Sequence, residues 1–346
     1  MMVRSQETTL VRATLTVPRE EGWWRTGAPI QALGRFRASL LRGEVPVVLL
    51  PFVRTAAFAL AACAVTACVV ERAPPPATGG SLVDDFGDTI AVTPAPQRIV
   101  SLNPSTTELL FALGAGSRLV GRTHWDEWPD SARLVPDLGA GVRPNVEAVL
   151  AAHPDLVILY ASSDNRSAAR HLRAAGVRTL SLKIDRIEHF ERATRTIGRI
   201  LGDSPRASLV ADTVRATLDR VAARTATLRR PRVAWPVDVA PVIAIGAGSF
   251  LSQLIEIAGG ENVYGDMAAV SPQLSLEDVH RRDPDIILAN PRLAARIRTE
   301  PTWRGLRAVR EGRVIEADEV LMGRQSVRMG EAAVALARLL HPEVVW

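Results

Sequence analysis

The feature that most limits how this 346-residue chain can fold is an internal repeat. Residues 145–159 (NVEAVLAAHPDLVIL) align with residues 275–288 (SLEDVHRRDPDIIL). In both, a polar cap precedes a helical pattern with glutamate as its second residue, and Pro-Asp then introduces an apolar run typical of a buried strand. A second pair, 108–116 and 250–260, matches in the same order. Any two βα units share part of this pattern, but the repeated glutamate and Pro-Asp favour two similar lobes.

Beyond the first 81 residues, short apolar runs alternate with helical patterns, which predicts an α/β fold with mostly parallel sheets. Arg98–Leu102 is predicted as a strand and Pro104–Leu113 as a helix. Ser105 and Glu108 have the spacing of a capping box at the start of that helix. Gly114 is the residue type expected just after its end.

An uninterrupted helical pattern lies between the two halves. Pro205 suits the first turn behind a serine cap, and Val214, Leu218 and Val221 recur on one face. This helix would be roughly 38 Å long and too stiff to act as a flexible hinge, so only small opening and closing motions are expected. The predicted organisation is an N-terminal lobe at 82–203, a linking helix at 204–230 and a C-terminal lobe at 231–346.

The positive charge of the chain is concentrated at its front. The formal net charge is +5, but residues 1–67 hold eight arginines against four glutamates, which leaves +1 for the remainder. Without residues 1–67, no net positive field remains to hold a polyanion, so nucleic acid is excluded as a partner. The two cysteines, Cys63 and Cys68, cannot build a disulfide framework or a four-ligand zinc site.

The apolar stretch 55–67 is too short to span a bilayer as a helix, which takes about 20 residues, and it has the arrangement of a secretory signal. It ends in VTAC, which resembles a bacterial lipobox and implies cleavage before Cys68 and a lipid on its sulfur. A plain signal peptide, or a membrane helix extended back through 45–50, is the alternative. The predicted segments are an upstream extension at 1–52 that is disordered or untranslated, with synthesis starting near Val53, a signal peptide at 53–67 and a lipid-anchored tether at 68–81.

Four motifs together resemble the periplasmic binding proteins for cobalamin and ferric chelates. They are RIVSLNPSTTE (98–108), the VE and PD pair within 146–155, AGGEN (258–262) and QLSLE with its PD pair (273–285). The resemblance implies two Rossmann-like lobes with central, mostly parallel sheets, joined by a single long α-helix, and a ligand cleft between the lobes. It further implies a monomeric periplasmic receptor without a cofactor, which passes its ligand to an ABC permease dimer with ATPase subunits.

Polar and aromatic residues that follow predicted strands of the first half are candidate ligand contacts, because ligands of open α/β sheets bind beyond the carboxyl ends of the strands. Ser105 and Thr106 open the first helix, whose free N–H groups could grip amide or carboxylate arms, although an N-cap role suits Ser105 equally well. The loop THWDEWP (123–129) carries two indoles that would stack on a flat macrocycle. Its candidate ligand-binding residues are His124, Trp125, Asp126 and Trp128.

The remaining candidates follow a strand or precede the last helix. Tyr160 ends a predicted strand, and Trp235 has the matching place in the second half. Arg324 and Arg328 would suit anionic groups, unless they simply face solvent. No direct metal ligand is predicted, but His124 or Tyr160 could serve one if the ligand carries a metal. With only two tyrosines in the chain, a multi-tyrosine iron site is excluded.

Glu147 and Glu277 stand second in the two repeated helices. A glutamate at that position complements the helix dipole, which contributes about 0.3–1 kcal/mol. The resemblance implies instead that one exposed glutamate of each lobe docks into arginine pockets of the two permease subunits. Their matching places in the repeat favour docking.

The sequence lacks the motifs of common enzyme sites. GAGSFL (246–251) begins like a dinucleotide fingerprint without its third glycine, and neither a phosphate loop nor a nucleophile elbow is present. We therefore expect a receptor and not an enzyme, with a secreted α/β enzyme or metal chelatase as the remote alternative. Among ligands, the tryptophan-rich loop and the scarcity of tyrosine favour cobalamin over a ferric siderophore or haem.

Overall fold

The two halves of the chain form two four-stranded parallel sheets with the same strand order. The computed structural model describes residues 80–346. When the strands of each sheet are counted in chain order, both sheets run 2-1-3-4, so the repeat extends from sequence to topology. The first sheet contains, in spatial order, β4 (Leu119–Gly121), β3 (Ile99–Ser101), β5 (Leu156–Tyr160) and β6 (Arg178–Leu182). The second contains β10 (Glu261–Asn262), β7 (Arg232–Ala234), β12 (Ile286–Ala289) and β13 (Val314–Glu316).

Two small antiparallel sheets accompany the parallel ones. Their strands are only two to four residues long, which leaves too little periodicity to predict them from sequence. One is the hairpin of β1 (Ser81–Val83) and β2 (Thr89–Ala91). The other contains β8 (Pro236–Val239), β9 (Val242–Ala244) and β11 (Gln273–Leu274).

Helices connect the strands of both lobes, as the βα alternation predicts. Those of the first half are α1 (Pro104–Ala112), α2 (Val146–Ala151), α3 (Arg166–Ala174), α4 (Ile187–Leu201) and the long α5 (Ser204–Thr225). Those of the second half are α6 (Phe250–Ile257), α7 (Leu276–Arg282), α8 (Pro291–Thr299), α9 (Arg307–Arg310), α10 (Glu319–Met322) and α11 (Met329–Leu340).

The start of α1 differs from the sequence expectation. The predicted capping box is wrong, because Asn103 is the N-cap and its side chain accepts a hydrogen bond from the Ser105 amide. Asn103 stands directly before Pro104, so the helix begins earlier than a Ser105 cap would allow. The end of α1 is as predicted, with Gly114 in the left-handed conformation at φ 76°.

The repeated Pro-Asp pair ties two strands of each sheet together. The Asp155 carboxylate accepts hydrogen bonds from the amides of Gln97 and Arg98, at 2.7 and 3.1 Å. The Asp285 carboxylate accepts one from the Arg232 amide at 2.9 Å. Each aspartate therefore fixes the start of the third strand of its lobe against the start of the first strand.

The residue two places before each of these aspartates is also equivalent in the two lobes. His153 and Asp283 both adopt a left-handed backbone, at φ 47° and 35°. The Arg98 side chain donates to the His153 carbonyl at 2.8 Å, and the Arg232 side chain donates to the Asp283 carbonyl at 3.3 Å. An arginine at the start of the first strand thus stabilises an unfavourable turn in each lobe.

The predicted linking helix is present as α5, which is about 33 Å long at 1.5 Å per residue. Its N-cap is Asp203, whose carboxylate accepts from the Arg206 amide, and not the predicted Ser204. It ends at Thr225, several residues before the predicted boundary. It packs against α4 of the first half and against α6 and α11 of the second.

One hydrophobic core runs through both halves around α5. It includes Phe190 on α4, Leu218 on α5, Leu254 on α6 and Leu336 on α11, all fully buried or nearly so. Each parallel sheet also has a smaller apolar cluster of its own on its outer side. The lobes therefore share buried apolar surface and are not two independent bodies.

Gly246 and Gly248 serve the chain's own backbone. An added Cβ atom would lie 2.2 Å from the Ala269 carbonyl oxygen at Gly246 and 2.5 Å from that of Ala268 at Gly248. The amides of both glycines donate to this neighbouring loop, at 3.1 and 3.3 Å. The resemblance to a dinucleotide fingerprint thus has a different cause, the close approach of two loops.

Two searches were limited to residues 80–346. Within them, no helix combines the length and apolar character that crossing a membrane requires. No group of three or more His, Cys, Asp or Glu side chains within this range could hold a metal ion. The predicted signal peptide, Cys68 and nearly all of the predicted tether lie outside the described residues.

Candidate functional site

The tryptophan-rich loop follows β4 at the carboxyl edge of the first sheet and is held by Asp126. The Asp126 carboxylate accepts hydrogen bonds from the amide and the hydroxyl of Thr123. Only 2% of Asp126 is exposed, and burial raises the pKa of its carboxyl despite these hydrogen bonds. Asp126, a predicted ligand contact, therefore uses its side chain to order the loop.

The aromatic side chains of this loop are far more accessible. Trp125 is 59% exposed, and its ring packs beside that of His124 with 4.6 Å between centroids. Trp128 is half-buried. The rings of His124, Trp125 and Trp128 are thus at least partly accessible from solvent, which leaves all three candidates within reach of a ligand.

Arg324 and Arg328 reach the same loop from the second half of the chain. The Arg324 guanidinium donates to the Trp125 carbonyl at 2.6 Å. The Arg328 guanidinium lies over the Trp128 ring, 4.7 Å from its centroid, a cation–π arrangement. The structure therefore brings together four of the predicted ligand residues, two from each lobe.

The counter-ion of both arginines is Glu108 on α1, a residue whose site role sequence reasoning missed. Its carboxylate is 3.2 and 3.3 Å from the Arg328 guanidinium nitrogens and 3.7 Å from Arg324 Nη1. The signal available in the sequence was a single carboxylate directly before Leu109 and Leu110, because a charge on an otherwise apolar helix needs a buried partner.

Ser105 and Thr106, the two candidate ligand contacts on α1, are less accessible than predicted. Thr106 is fully buried, and its hydroxyl bonds to the Ser101 hydroxyl at 2.7 Å and to the Asn103 carbonyl at 2.9 Å. Ser105 is also buried. The structure thus places both predicted ligand contacts in the packed start of the helix.

Tyr160 ends β5 and is half-buried, but its phenol is engaged. The hydroxyl donates to the Asp185 carboxylate at 2.5 Å. Burial, the hydrogen bond to Asp185 and the charge of that carboxylate all raise the pKa of Tyr160 well above its usual range. The phenolate that would ligate ferric iron is thereby disfavoured.

Trp235 and Tyr264 belong to the interior of the second lobe. Trp235 is only 6% exposed and packs in the large shared core. Apolar packing thus occupies the ring that is predicted as the second-lobe ligand contact. Tyr264 is buried as well, and burial is the first cause that raises its pKa.

A second set of contacts joins the lobes through the N-termini of α4 and α6. The Phe250 amide donates to the Asp185 carbonyl at 2.6 Å. The Gln253 side chain accepts from the Ile187 amide at 2.9 Å and donates to Glu188 at 3.0 Å. In each helix, one N-terminal amide that has no acceptor within its own helix thus donates to the opposite lobe.

Glu147 and Glu277 occupy equivalent exposed positions. Asn145 caps α2 by accepting from the third helical amide at 3.1 Å, and Ser275 caps α7 in the same way at 3.1 Å. In both helices the glutamate is the second residue and is exposed. No ion pair involves either glutamate among residues 80–346, so both carboxylates face solvent.

A cavity of about 560 Å³ lies apart from these residues, beside the edge strand β10. Arg230, Arg232 and Arg282 line it together with acidic residues that include Asp266. Arg282 is bound to Asp266 at 2.8 and 3.0 Å. The charge of Arg282 is therefore paired within the protein, and we regard the tryptophan loop, with its exposed indole, as the candidate ligand site.

Comparison with known proteins agrees with the topology and with the two-lobed arrangement. A family model described as periplasmic binding protein matches residues 99–321. The ABC transporter substrate-binding lipoprotein YvrC of Bacillus subtilis is 26% identical over 270 residues, which cover 75% of this chain and 85% of that protein. The vitamin B12-binding protein of Yersinia pestis is 27% identical over 199 residues, 57% of this chain and 70% of that protein.

Solved structures extend the comparison to three dimensions. The periplasmic haem-binding protein RhuT from Roseiflexus superposes with a TM-score of 0.65 and 25% identity, and the match covers 71% of this chain and 98% of that one. Relatives with the same fold are thus named for different metal-bearing macrocycles.

Proposed function

This chain belongs to the periplasmic binding protein family, and for that reason we propose that it is the substrate-binding component of an ABC importer and not an enzyme. In this role it binds a ligand between its lobes and delivers it to a permease dimer with ATPase subunits. The observation that carries the proposal is the set of four side chains from both lobes around the loop 123–129, with one indole exposed.

We propose cobalamin as the ligand, with a ferric siderophore or haem as the alternative. The exposed face of Trp125 suits stacking on a flat macrocycle. Tyr160 donates to Asp185 and Tyr264 is buried, so neither tyrosine offers a ready phenolate. These features favour a ligand whose metal is already coordinated. The vitamin B12-binding relative supports the same choice, while the haem-binding neighbour supports the alternative.

We also propose that Cys68 carries a lipid and holds the receptor at the outer face of a membrane. The lipobox-like VTAC sequence and the YvrC lipoprotein support this proposal. Cells that produce Cys68→Ala should release the protein from the membrane fraction. Unchanged membrane association in that variant would contradict the anchor.

The ligand is tested by titrating the full chain, with Cys68→Ala for solubility, against cyanocobalamin, haemin and a ferric catecholate siderophore. Tryptophan fluorescence, corrected for absorption by the coloured ligands, should show saturable one-to-one quenching by cyanocobalamin. Trp125→Phe should weaken binding. Trp346→Phe makes the same change at the C-terminus and should not alter it.

The three titrations separate the alternatives. Saturation with haemin or the siderophore alone would transfer the function to that ligand. Silence with all three would contradict the receptor proposal for metal chelates. Binding that is equally weakened by Trp125→Phe and Trp346→Phe would place the ligand elsewhere on the molecule.

A further inference from the structure

Glu108 is a buried carboxylate whose partners all come from the other lobe. Only 1% of it is exposed, on a helix continued by Leu109 and Leu110. A buried ionised carboxylate is stable only when it is paired and hydrogen-bonded. Its recorded partners are Arg324 and Arg328, more than 200 residues further along the chain.

Arg328 is held between two groups of the first lobe. On one side, Nε and Nη2 donate to the two carboxylate oxygens of Glu108 at 3.2 and 3.3 Å, a bidentate pair that fixes the guanidinium plane. On the other side, the guanidinium lies over the Trp128 ring. A third contact, to the Val320 carbonyl at 3.1 Å, ties the same group to its own lobe.

Arg324 makes the parallel connection to the other indole residue. Its Nη1 lies 3.7 Å from Glu108 and its Nη2 donates to the Trp125 carbonyl at 2.6 Å. Each arginine therefore links Glu108 to one tryptophan of the loop. The carboxylate is the single anion that both links share.

We propose that Glu108 is a positioning residue for the candidate ligand site, which fixes the Trp128 indole by holding Arg328 over its ring. The relevance to binding rests on the proposed function, in which this loop meets the ligand. The positioning itself is a property of the free protein. Because Glu108 and Trp128 belong to one lobe and Arg328 to the other, the orientation of the indole depends on both lobes being in contact.

The proposal is tested by fluorine NMR of the full chain labelled with 5-fluorotryptophan, in the absence of ligand. Trp128→Phe identifies the Trp128 resonance among those of the seven tryptophans. Glu108→Gln keeps the shape and removes the charge that anchors the guanidinium. We expect it to shift the Trp128 resonance beyond its linewidth, while that of Trp303, buried in the separate second-lobe core, stays in place.

Matched variants distinguish positioning from general destabilisation. Glu188 belongs to the second set of contacts between the lobes, where its carboxylate accepts from the Gln253 side chain. Glu188→Gln makes the same chemical change there and should leave the Trp128 resonance unchanged. Arg328→Lys keeps the positive charge but loses the planar fork, and should shift the resonance as Glu108→Gln does. Glu108→Asp keeps the anion and should partly restore the wild-type position.

A Trp128 resonance that is unchanged in folded Glu108→Gln and Arg328→Lys would overturn the proposal. If Glu108→Gln does not fold, the Glu108→Gln, Arg328→Gln double variant removes both charges together and should still show the shift. Titration of the same samples with cyanocobalamin separates the two proposals. If Glu108→Gln shifts the resonance and the wild-type protein binds none of cyanocobalamin, haemin and siderophore, positioning is sustained and the proposed function is contradicted.

Discussion

The hydroxyl of Tyr160 donates to the carboxylate of Asp185, 2.5 Å away, at the carboxyl edge of the first sheet. The contact joins the end of β5 to the residues that follow β6. Asp185 is buried, and its backbone carbonyl also accepts from the Phe250 amide of the opposite lobe. Tyr160 is thus tied to a residue that connects the lobes.

Asp185→Asn should lower the pKa of Tyr160 towards its usual value. Burial would still raise this pKa, but the hydrogen bond to a carboxylate and its negative charge would be gone. Ultraviolet titration of the phenolate should show one of the two tyrosines ionising at lower pH than in the wild type. Asp164→Asn alters a carboxylate paired with Arg143 in the same region and should leave the titration unchanged.

The raised pKa values of Tyr160 and Tyr264 also predict a loss of stability in base. In the unfolded chain tyrosine ionises near pH 10, whereas the folded protein keeps both phenols neutral beyond it. Their contribution to stability is therefore complete below about pH 10 and is lost as the pH rises further. Urea midpoints that stay constant from pH 9 to 11 would contradict this expectation.

Reversing both exposed glutamates, Glu147→Lys and Glu277→Lys, should abolish uptake of the ligand into cells. Affinity for the ligand should remain, because neither residue belongs to the tryptophan loop. Glu331→Lys reverses another exposed glutamate in the first turn of a helix, α11, and should leave uptake intact. Loss of affinity in the double variant would instead place these glutamates in the ligand site.

Asp285→Asn should destabilise the protein by about 2 kcal/mol, because the buried carboxylate binds both the Arg232 amide and the Arg307 guanidinium. Desolvation acts to raise its pKa, but these contacts outweigh it and hold the pKa below the usual range. Its contribution is therefore present above about pH 4 and is lost as the pH falls. Urea denaturation measures the difference, and Asp212→Asn, at an exposed carboxylate, should stay near wild type.

Gly259→Ala should destabilise the protein more than Gly176→Ala. Both glycines are left-handed, at φ 81° and 84°, so both substitutions carry a similar backbone strain of about 1–2 kcal/mol. At Gly176 nothing lies within 4 Å of the added carbon, whereas at Gly259 it would lie 2.6 Å from the His341 ring and 2.8 Å from Thr225 Cβ. Equal thermal midpoints for the two variants would contradict the close packing at the end of α5.

The sequence was most informative where a local pattern fixes the structure. The repeated Glu and Pro-Asp positions and the linking helix could be predicted because caps, periodicity and strand starts depend on near neighbours. The comparisons confirm the family and the fold class. The site was harder, since a polar loop residue such as Asp126 gives the same sequence signal whether it orders the loop or meets a ligand.

Contacts between distant segments could not be predicted at all. Glu108 follows Ser105 at the spacing of a capping box, yet its carboxylate pairs with Arg328, 220 residues away. Trp235 stands at the end of a strand much as Tyr160 does, but the shared core encloses it. Which residues of one lobe meet the other lobe depends on tertiary packing. The hydrophobic periodicity of a single segment carries no information about that packing.

The core around α5 also determines how the chain can be divided. A cut after Gly202 would leave the first half without the helix that covers Phe190 and Ile197, and would leave Leu218 without its first-half neighbours. Neither fragment could be transplanted as a module of its own, although each carries a complete four-stranded sheet. We therefore expect the two repeats to unfold as a single unit and to resist proteolysis only when both are present.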